Sequence, residues 1–161
     1  MTVWASVDTP VGALILEGDA EGLSAVHLPN RHPTGLDPRT YDPQRLVEPV
    51  RQLAEYFASE RTAFDVATNP QGGTFDRAVW QALTTVGYGE TVTYTELAHM
   101  VGRPDRVRAV AAANARNPLP VVVPCHRVVG SGGDLVGYLG GLGRKQALLD
   151  LEAGRWQEAL W

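Results

Sequence analysis

The sequence predicts an α/β protein of the α+β type: a small N-terminal antiparallel sheet with one helix, then a helical C-terminal part built around a winged helix-turn-helix. Three observations carry this. Short apolar runs broken by turn residues fill the first 28 positions, the spacing of an antiparallel meander. From Thr74 onward the apolar residues recur at helical intervals. Between the two, Asn69-Pro-Gln-Gly-Gly73 interrupts both patterns where the charge balance changes: residues 1–74 carry 10 acids and 5 bases, residues 75–161 carry 8 and 9. The expected division is a supporting domain over 1–70, a linker over 71–74 and a second domain over 75–161.

Composition excludes several classes. With 44% hydrophobic and 20% charged residues among 161, the chain has enough apolar side chain for a core and lies outside the disordered regime. No apolar run approaches the ~20 residues of a membrane helix. The start, MTVWASVDTP, lacks a basic and then apolar leader, and the single cysteine forms no internal disulfide. A cytoplasmic protein with no membrane association is expected.

Taken in order, TVWASV, ALILEG and LSAVHL read as three strands, joined by turns at Thr9-Pro10-Val11-Gly12 and Asp19-Ala20-Glu21-Gly22. A polar loop spans 30–43. Leu46, Val50, Leu53 and Phe57 then form a helical stripe, with Pro49 near its start. Phe64 to Val66 is a further strand candidate. Thr74 is expected to cap a helix carrying Phe75, Val79, Leu83 and Val86 and ending at Gly87 or Gly89. Thr93-Tyr94-Thr95-Glu96 has capping-box spacing, and Leu97, Ala98 and Val101 face inward until Gly102. Pro104 suits the first turn of the next helix, which is expected to run to about Arg116. Projected at 100° per residue, Val107, Val110 and Ala111 share one side with Asn114 beside them, whereas Arg108, Ala112 and Ala115 share the other. A lone arginine among small residues lets a helix backbone approach a partner closely. Beyond Asn117-Pro118, Leu119 to Val123 reads as a buried strand, and Gly130-Ser-Gly-Gly133 turns the chain back into Leu135-Val-Gly-Tyr138 as the wing. A last helix, Arg144 to about Trp156, buries Ala147, Leu148 and Leu151. Glu152 lies beside that stripe, so a partner is expected for its carboxylate.

Two features carry chemistry. Between Arg103 and Arg127, five arginines face one acid, a footprint suited to a polyanion. At Pro124-Cys125-His126, the proline ends the preceding strand, so a turn can bring the histidine within reach of the thiol, directly or through one water. Glu152 would orient the imidazole and stabilise its cation. That constellation makes a nucleophile without metal or cofactor. Histidines at 27, 32, 99 and 126 meet no metal-ligand spacing.

Pro124-Cys125-His126-Arg127-Val128, preceded by Asn117-Pro118 and the Pro-Val-Val-Val run and followed by Gly137-Tyr138-x-Gly140-Gly141-Leu142, resembles the O6-alkylguanine-DNA alkyltransferases. The resemblance is strong over about 75–155 and rests on strand pattern over 1–70. It implies an RNase H-like N-terminal domain and a DNA-binding, catalytic C-terminal domain. The implied activity is irreversible transfer of an alkyl group from O6-alkylguanine, with O4-alkylthymine as a secondary candidate, to Cys125 of a single-turnover protein. The implied partner is double-stranded DNA bound by a monomer, with cooperativity on DNA left open. By the same resemblance His126 is the base, Glu152 its partner, Asn117 the tie between helix-turn-helix and active-site turn, and Tyr138 a donor to the base. Arg108 is the finger that fills the space of a flipped nucleotide, and Tyr94 crowds the 3′ phosphate. Ala109, Ala112 and Ala115 line the DNA-facing helix. Arg116 is an extra candidate for a phosphate contact, since relatives carry small residues there. Leu139 also departs from the Ser or Gly of many relatives and would reshape the base pocket. The zinc ligands of some relatives are absent.

Two other classes compete. A winged-helix regulator would bind DNA without covalent labelling, but the alanine face offers few groups for base readout. A cysteine hydrolase would need turnover and an oxyanion hole, and no donor-rich segment directly follows Cys125.

Overall fold

The computed structural model describes residues 1–155. Three strands, β1 (Val3–Thr9), β2 (Gly12–Asp19) and β3 (Gly22–His27), form an antiparallel sheet in the order β1-β2-β3, so the meander is as expected. Alternation buries Val3, Ala5 and Val7 on one face of β1. At the first turn Gly12 adopts φ +109°, and a Cβ there would approach Pro29 Cγ to 2.5 Å, so only glycine fits. Helix α1 (Val47–Phe57) packs on β1, with Pro49 in its first turn, where a missing N–H is harmless.

The expected strand at Phe64 to Val66 does not form. The extra pairing falls slightly later, where Leu23 N donates to Ala67 O at 2.9 Å and Asn69 N donates to Leu23 O at 2.8 Å. The stretch from Ala67 to Asn69 is thus tied to β3, and the bond Val26 N to Pro118 O (2.8 Å) links the same strand to the second half. Buried residues of both halves belong to one hydrophobic cluster.

Helix α2 (Thr74–Leu83) is capped by Gly73, and Thr74 is its first helical residue with no cap bond, contrary to expectation. It also ends earlier than Gly87. Thr84 and Thr85 turn their hydroxyls onto the carbonyls of Gln81 (2.6 Å) and Ala82 (2.7 Å), which closes the last turn. A short strand β4 (Val92–Thr93) leads into α3 (Tyr94–Met100), whose capping box between Thr93 and Glu96 is present. Gly102, at φ +74°, stops it. Pro104 lies in the turn that follows, not in the next helix. That turn is closed by Arg106 N to Arg103 O at 2.9 Å, so α4 begins only at Val107 and runs to Ala115. On α4, Val110, Ala113 and Asn114 face the core, while Val107 and Ala111 are only half-buried, a rotation from the projected face. Trp80 of α2 fixes it by donating Nε1–H to Ala113 O at 2.9 Å.

Leu119 to Val123 is buried but is no strand. Asn117 reaches across it, with Nδ2 donating to Val123 O (2.8 Å) and Oδ1 accepting from Leu119 N (2.9 Å), and the chain curls with Val121 at φ +74°. A β-branched residue there stores on the order of 1–3 kcal/mol of strain, held by the packing around it. After the curl, Cys125–Arg127 form one 3₁₀ turn and β5 (Val128–Val129) pairs in parallel with β4. The return through Leu135 to Tyr138 is made, closed by Gly130 N to Asp134 O at 2.8 Å, but its outgoing arm is not a strand. Helix α5 (Leu142–Glu152) ends at Gly154, φ +73°, before the expected Trp156, which lies outside the described residues. No described helix is long and apolar enough to cross a membrane.

Candidate active site

Cys125 opens its 3₁₀ turn at the floor of a cavity of about 520 Å³ and is 1% exposed. Burial pushes its thiol up to about 11, against the opposing pull of the Asn117 side chain and the Lys145 cation. The thiol is therefore protonated at neutral pH, and an adjoining base is needed to make the nucleophile. Tyr94, at the start of α3, Arg108 and Ala115, on α4, and Tyr138 and Leu139, on the segment before α5, line the same cavity.

Behind Cys125, the next residue is fully enclosed. His126 Nε2 is 2.7 Å from Glu152 Oε2, both side chains being at most 1% exposed. Glu152 also accepts from Arg127 Nε (2.8 Å) and Nη2 (2.9 Å), from Tyr56 Oη (2.6 Å) and from Gly89 N (3.2 Å). These donors hold its carboxyl well below the ordinary range in spite of burial. An ionised Glu152 can only accept, so His126 Nε2 carries the proton and Nδ1 keeps its lone pair. Nδ1 has no hydrogen-bond partner among the described residues. Burial lowers the His126 pKa, so the imidazole is neutral and ready to accept.

The structure thus brings together Cys125, His126, Glu152, Asn117, Tyr138, Tyr94 and Arg108. Arg108 is exposed at the cavity rim and makes no hydrogen bond or ion pair among the described residues. Ala112 and Ala115 are exposed beside it and Ala109 is half-buried. Arg116 does not stand free: its guanidinium, on the surface, grips Asp76 through Nε (2.9 Å) and Nη2 (2.7 Å). The basic cluster shrinks further, because Arg127 is buried on Glu152 and Val86 O.

Sequence reasoning missed five participants. Arg127 was counted as surface charge. Tyr56 comes from α1 and carries no local signal. Lys145 is fully buried and donates Nζ to Gly137 O at 2.9 Å; its place on the Leu148 and Glu152 face of α5 was the available clue. Arg31, with Asn30, holds Leu139 O at 2.9 and 3.0 Å and lines the cavity from the N-terminal half. Among the described residues no group of three or more His, Cys, Asp or Glu could hold a metal.

A helix-turn-helix presenting a solvent-facing arginine at a cavity lined by Cys125, with a buried His126–Glu152 pair directly behind that cysteine, defines a class of DNA-binding protein equipped for nucleophilic chemistry. Residues 74–154 match the model of the 6-O-methylguanine DNA methyltransferase DNA binding domain. The chain is 44% identical over 156 residues to the methylated-DNA–protein-cysteine methyltransferase of Mycobacterium leprae, covering 91% of this chain and 90% of that one. It is 37% identical to the constitutive enzyme of Bacillus subtilis, covering 98% and 99%. The crystal structure of Mycobacterium tuberculosis OGT in complex with DNA superposes with a TM-score of 0.88 at 43% identity, covering 95% of this chain and 94% of that chain. The chain belongs to the methylated-DNA–protein-cysteine methyltransferase family.

Proposed function

We propose that this protein repairs DNA by direct reversal, with Cys125 as the acceptor of the alkyl group from O6-alkylguanine in duplex DNA. The observation that carries the reading is the enclosed His126–Glu152 pair next in the chain to Cys125, which lines one cavity with Arg108. An alkyl group on O6 is hidden in the base stack, so the nucleotide is extruded at a cost of a few kcal/mol. Arg108 enters the vacated space and Tyr94 crowds the flanking phosphate, while Ala109, Ala112 and Ala115 let the α4 backbone approach the groove.

His126 Nδ1 takes the thiol proton, directly or through one water, and the resulting imidazolium is stabilised by Glu152. The thiolate attacks the alkyl carbon in line, the new S–C bond forming as the C–O6 bond breaks and its electron pair passes to the purine. A proton, delivered from His126 through the solvent or a water chain, neutralises the departing guanine, and Tyr138 Oη donates a hydrogen bond to it. The product is a thioether with no hydrolysable bond, so each molecule reacts once. Asn117 keeps the Cys125 turn registered on α4. O4-alkylthymine is a secondary substrate, and the protein acts as a monomer.

The test is the intact-protein mass after incubation with a duplex carrying one O6-methylguanine. One methyl-for-hydrogen exchange per molecule is expected, abolished in Cys125→Ser while DNA binding persists. Turnover, or labelling that survives in Cys125→Ser, overturns the reading.

A further inference from the structure

Among the described residues, the lining of the cavity over Cys125 carries two charged side chains, Arg108 and Arg31, and no acid. Arg108 has its place in the reaction just described. Arg31 does not. It comes from the N-terminal half, in the turn after β3, and is exposed. Its Nε donates to Leu139 O at 2.9 Å, while Nη1 and Nη2 make no hydrogen bond or ion pair among the described residues. Arg39, Arg51 and Arg61 of the same half each close on a carboxylate. A carbonyl needs no charge to hold it, and Asn30 Nδ2 already donates to Leu139 O at 3.0 Å. The charge of Arg31 thus exceeds what the fold asks of it, and the two Nη groups of its planar fork remain for a ligand.

This inference rests on the reading that the cavity receives a nucleotide extruded from duplex DNA. Rotation of that nucleotide about its backbone swings the base in, and the phosphates on either side, one sugar away, are drawn to the mouth. A guanidinium suits a phosphate, which it meets with two parallel N–H···O bonds. We infer that Arg31 is a DNA-binding residue supplied by the N-terminal half: its Nη groups grip a backbone phosphate beside the extruded nucleotide while Nε keeps hold of Leu139 O. One side chain then fixes both the strand and the segment that carries Tyr138.

The experiment measures reversible binding, in the Cys125→Ser background, to duplexes carrying O6-methylguanine whose flanking phosphates are replaced one at a time by neutral methylphosphonates. Arg31→Gln keeps a hydrogen-bonding side chain and removes the charge. It should weaken binding to the all-phosphate duplex by about three- to tenfold, the worth of one exposed charge-assisted contact, and reduce the slope of log Kd against log salt by about one. At one replaced position the methylphosphonate should weaken binding by a similar factor with Arg31 in place, and by at most about twofold in Arg31→Gln, where the partner is already gone. Arg31→Lys, which keeps the charge without the fork, should recover the salt slope and only part of the affinity. An unchanged salt slope in Arg31→Gln, or equal losses in both proteins at every flanking position, overturns the assignment. A protein that keeps Cys125 and is not methylated by the all-phosphate duplex refutes the reading of the cavity itself. Methylation without coupling between Arg31 and any flanking phosphate refutes only the role of Arg31.

Discussion

The carboxylate of Glu152 closes α5, where the helix dipole disfavours a negative charge, and it stays ionised there because two cation-bearing or polar side chains and one backbone amide converge on it in addition to His126. Replacing it by glutamine leaves the Arg127 guanidinium buried without its counter-charge. Breaking such a buried pair costs about 3–5 kcal/mol, so Glu152→Gln should lower stability by that order at neutral pH. The sign with pH follows from the depressed carboxyl: its stabilisation is complete above the ordinary glutamate range and is lost as pH falls through it toward the folded value. The gap between the two proteins in denaturant unfolding should therefore begin to close below about pH 4 and keep narrowing as the pH falls further. A gap that stays constant down to pH 3 would mean the charge is not what stabilises. The thiol gives a second expectation. With Cys125 at about 11 and His126 already neutral, wild-type transfer to O6-benzylguanine should be level between pH 7 and 9. In His126→Gln only hydroxide can form the thiolate, and the rate should climb about tenfold per pH unit. A level profile in that variant would place the base elsewhere.

At the scale of the helix, α4 divides its work between its faces. Val110 and Ala113 fasten it to the core, and Arg108, in its first turn, projects over the cavity. If Arg108 substitutes for the flipped nucleotide, Arg108→Ala should slow repair of a duplex lesion strongly and leave the reaction with free O6-benzylguanine nearly unchanged, because a free base pays no extrusion cost. A simple phosphate contact would instead weaken binding, reduce the salt slope and spare the rate at saturating DNA. Equal slowing on both substrates would refute either role. This face was legible in the sequence because it depends on helical period alone, as was the capping box of α3, which depends on a spacing of three. The curl from Leu119 to Val123 was not. Its apolar content matches a strand, and what bends it is the Asn117 carboxamide satisfying two backbone groups at once. The charge cluster misled for a related reason. Arg116 pairs 40 residues away with Asp76, and Arg127 pairs 25 residues away with Glu152, distances at which composition carries no pairing information.

On the scale of the whole molecule, the sequence assigns the N-terminal half only a supporting role, and the structure shows it reaching into the site at two points. Asn30 and Arg31 hold the Leu139 carbonyl, so the segment that carries Tyr138 is tied on one side to the end of β3 and on the other, through Lys145 and Gly137 O, to α5. Tyr56, with no exposed surface, donates to the same Glu152 oxygen that His126 uses. A bond to an ionised acceptor is worth about 1.5–3 kcal/mol, and its loss leaves Glu152 oriented by fewer donors. Tyr56→Phe keeps the ring and its packing against Phe57 and Phe64, so any change belongs to the hydroxyl. The variant should be less stable by that order and slower in transfer to O6-benzylguanine. The decisive comparison is a double-mutant cycle with Glu152→Gln, since two groups that act through one contact are not additive. In the glutamine background the tyrosine hydroxyl has no charge to stabilise, and Tyr56→Phe should then cost less than half of what it costs alone, in both stability and rate. Strict additivity in both readouts would confine Tyr56 to the core and leave the His126 relay wholly to the C-terminal half.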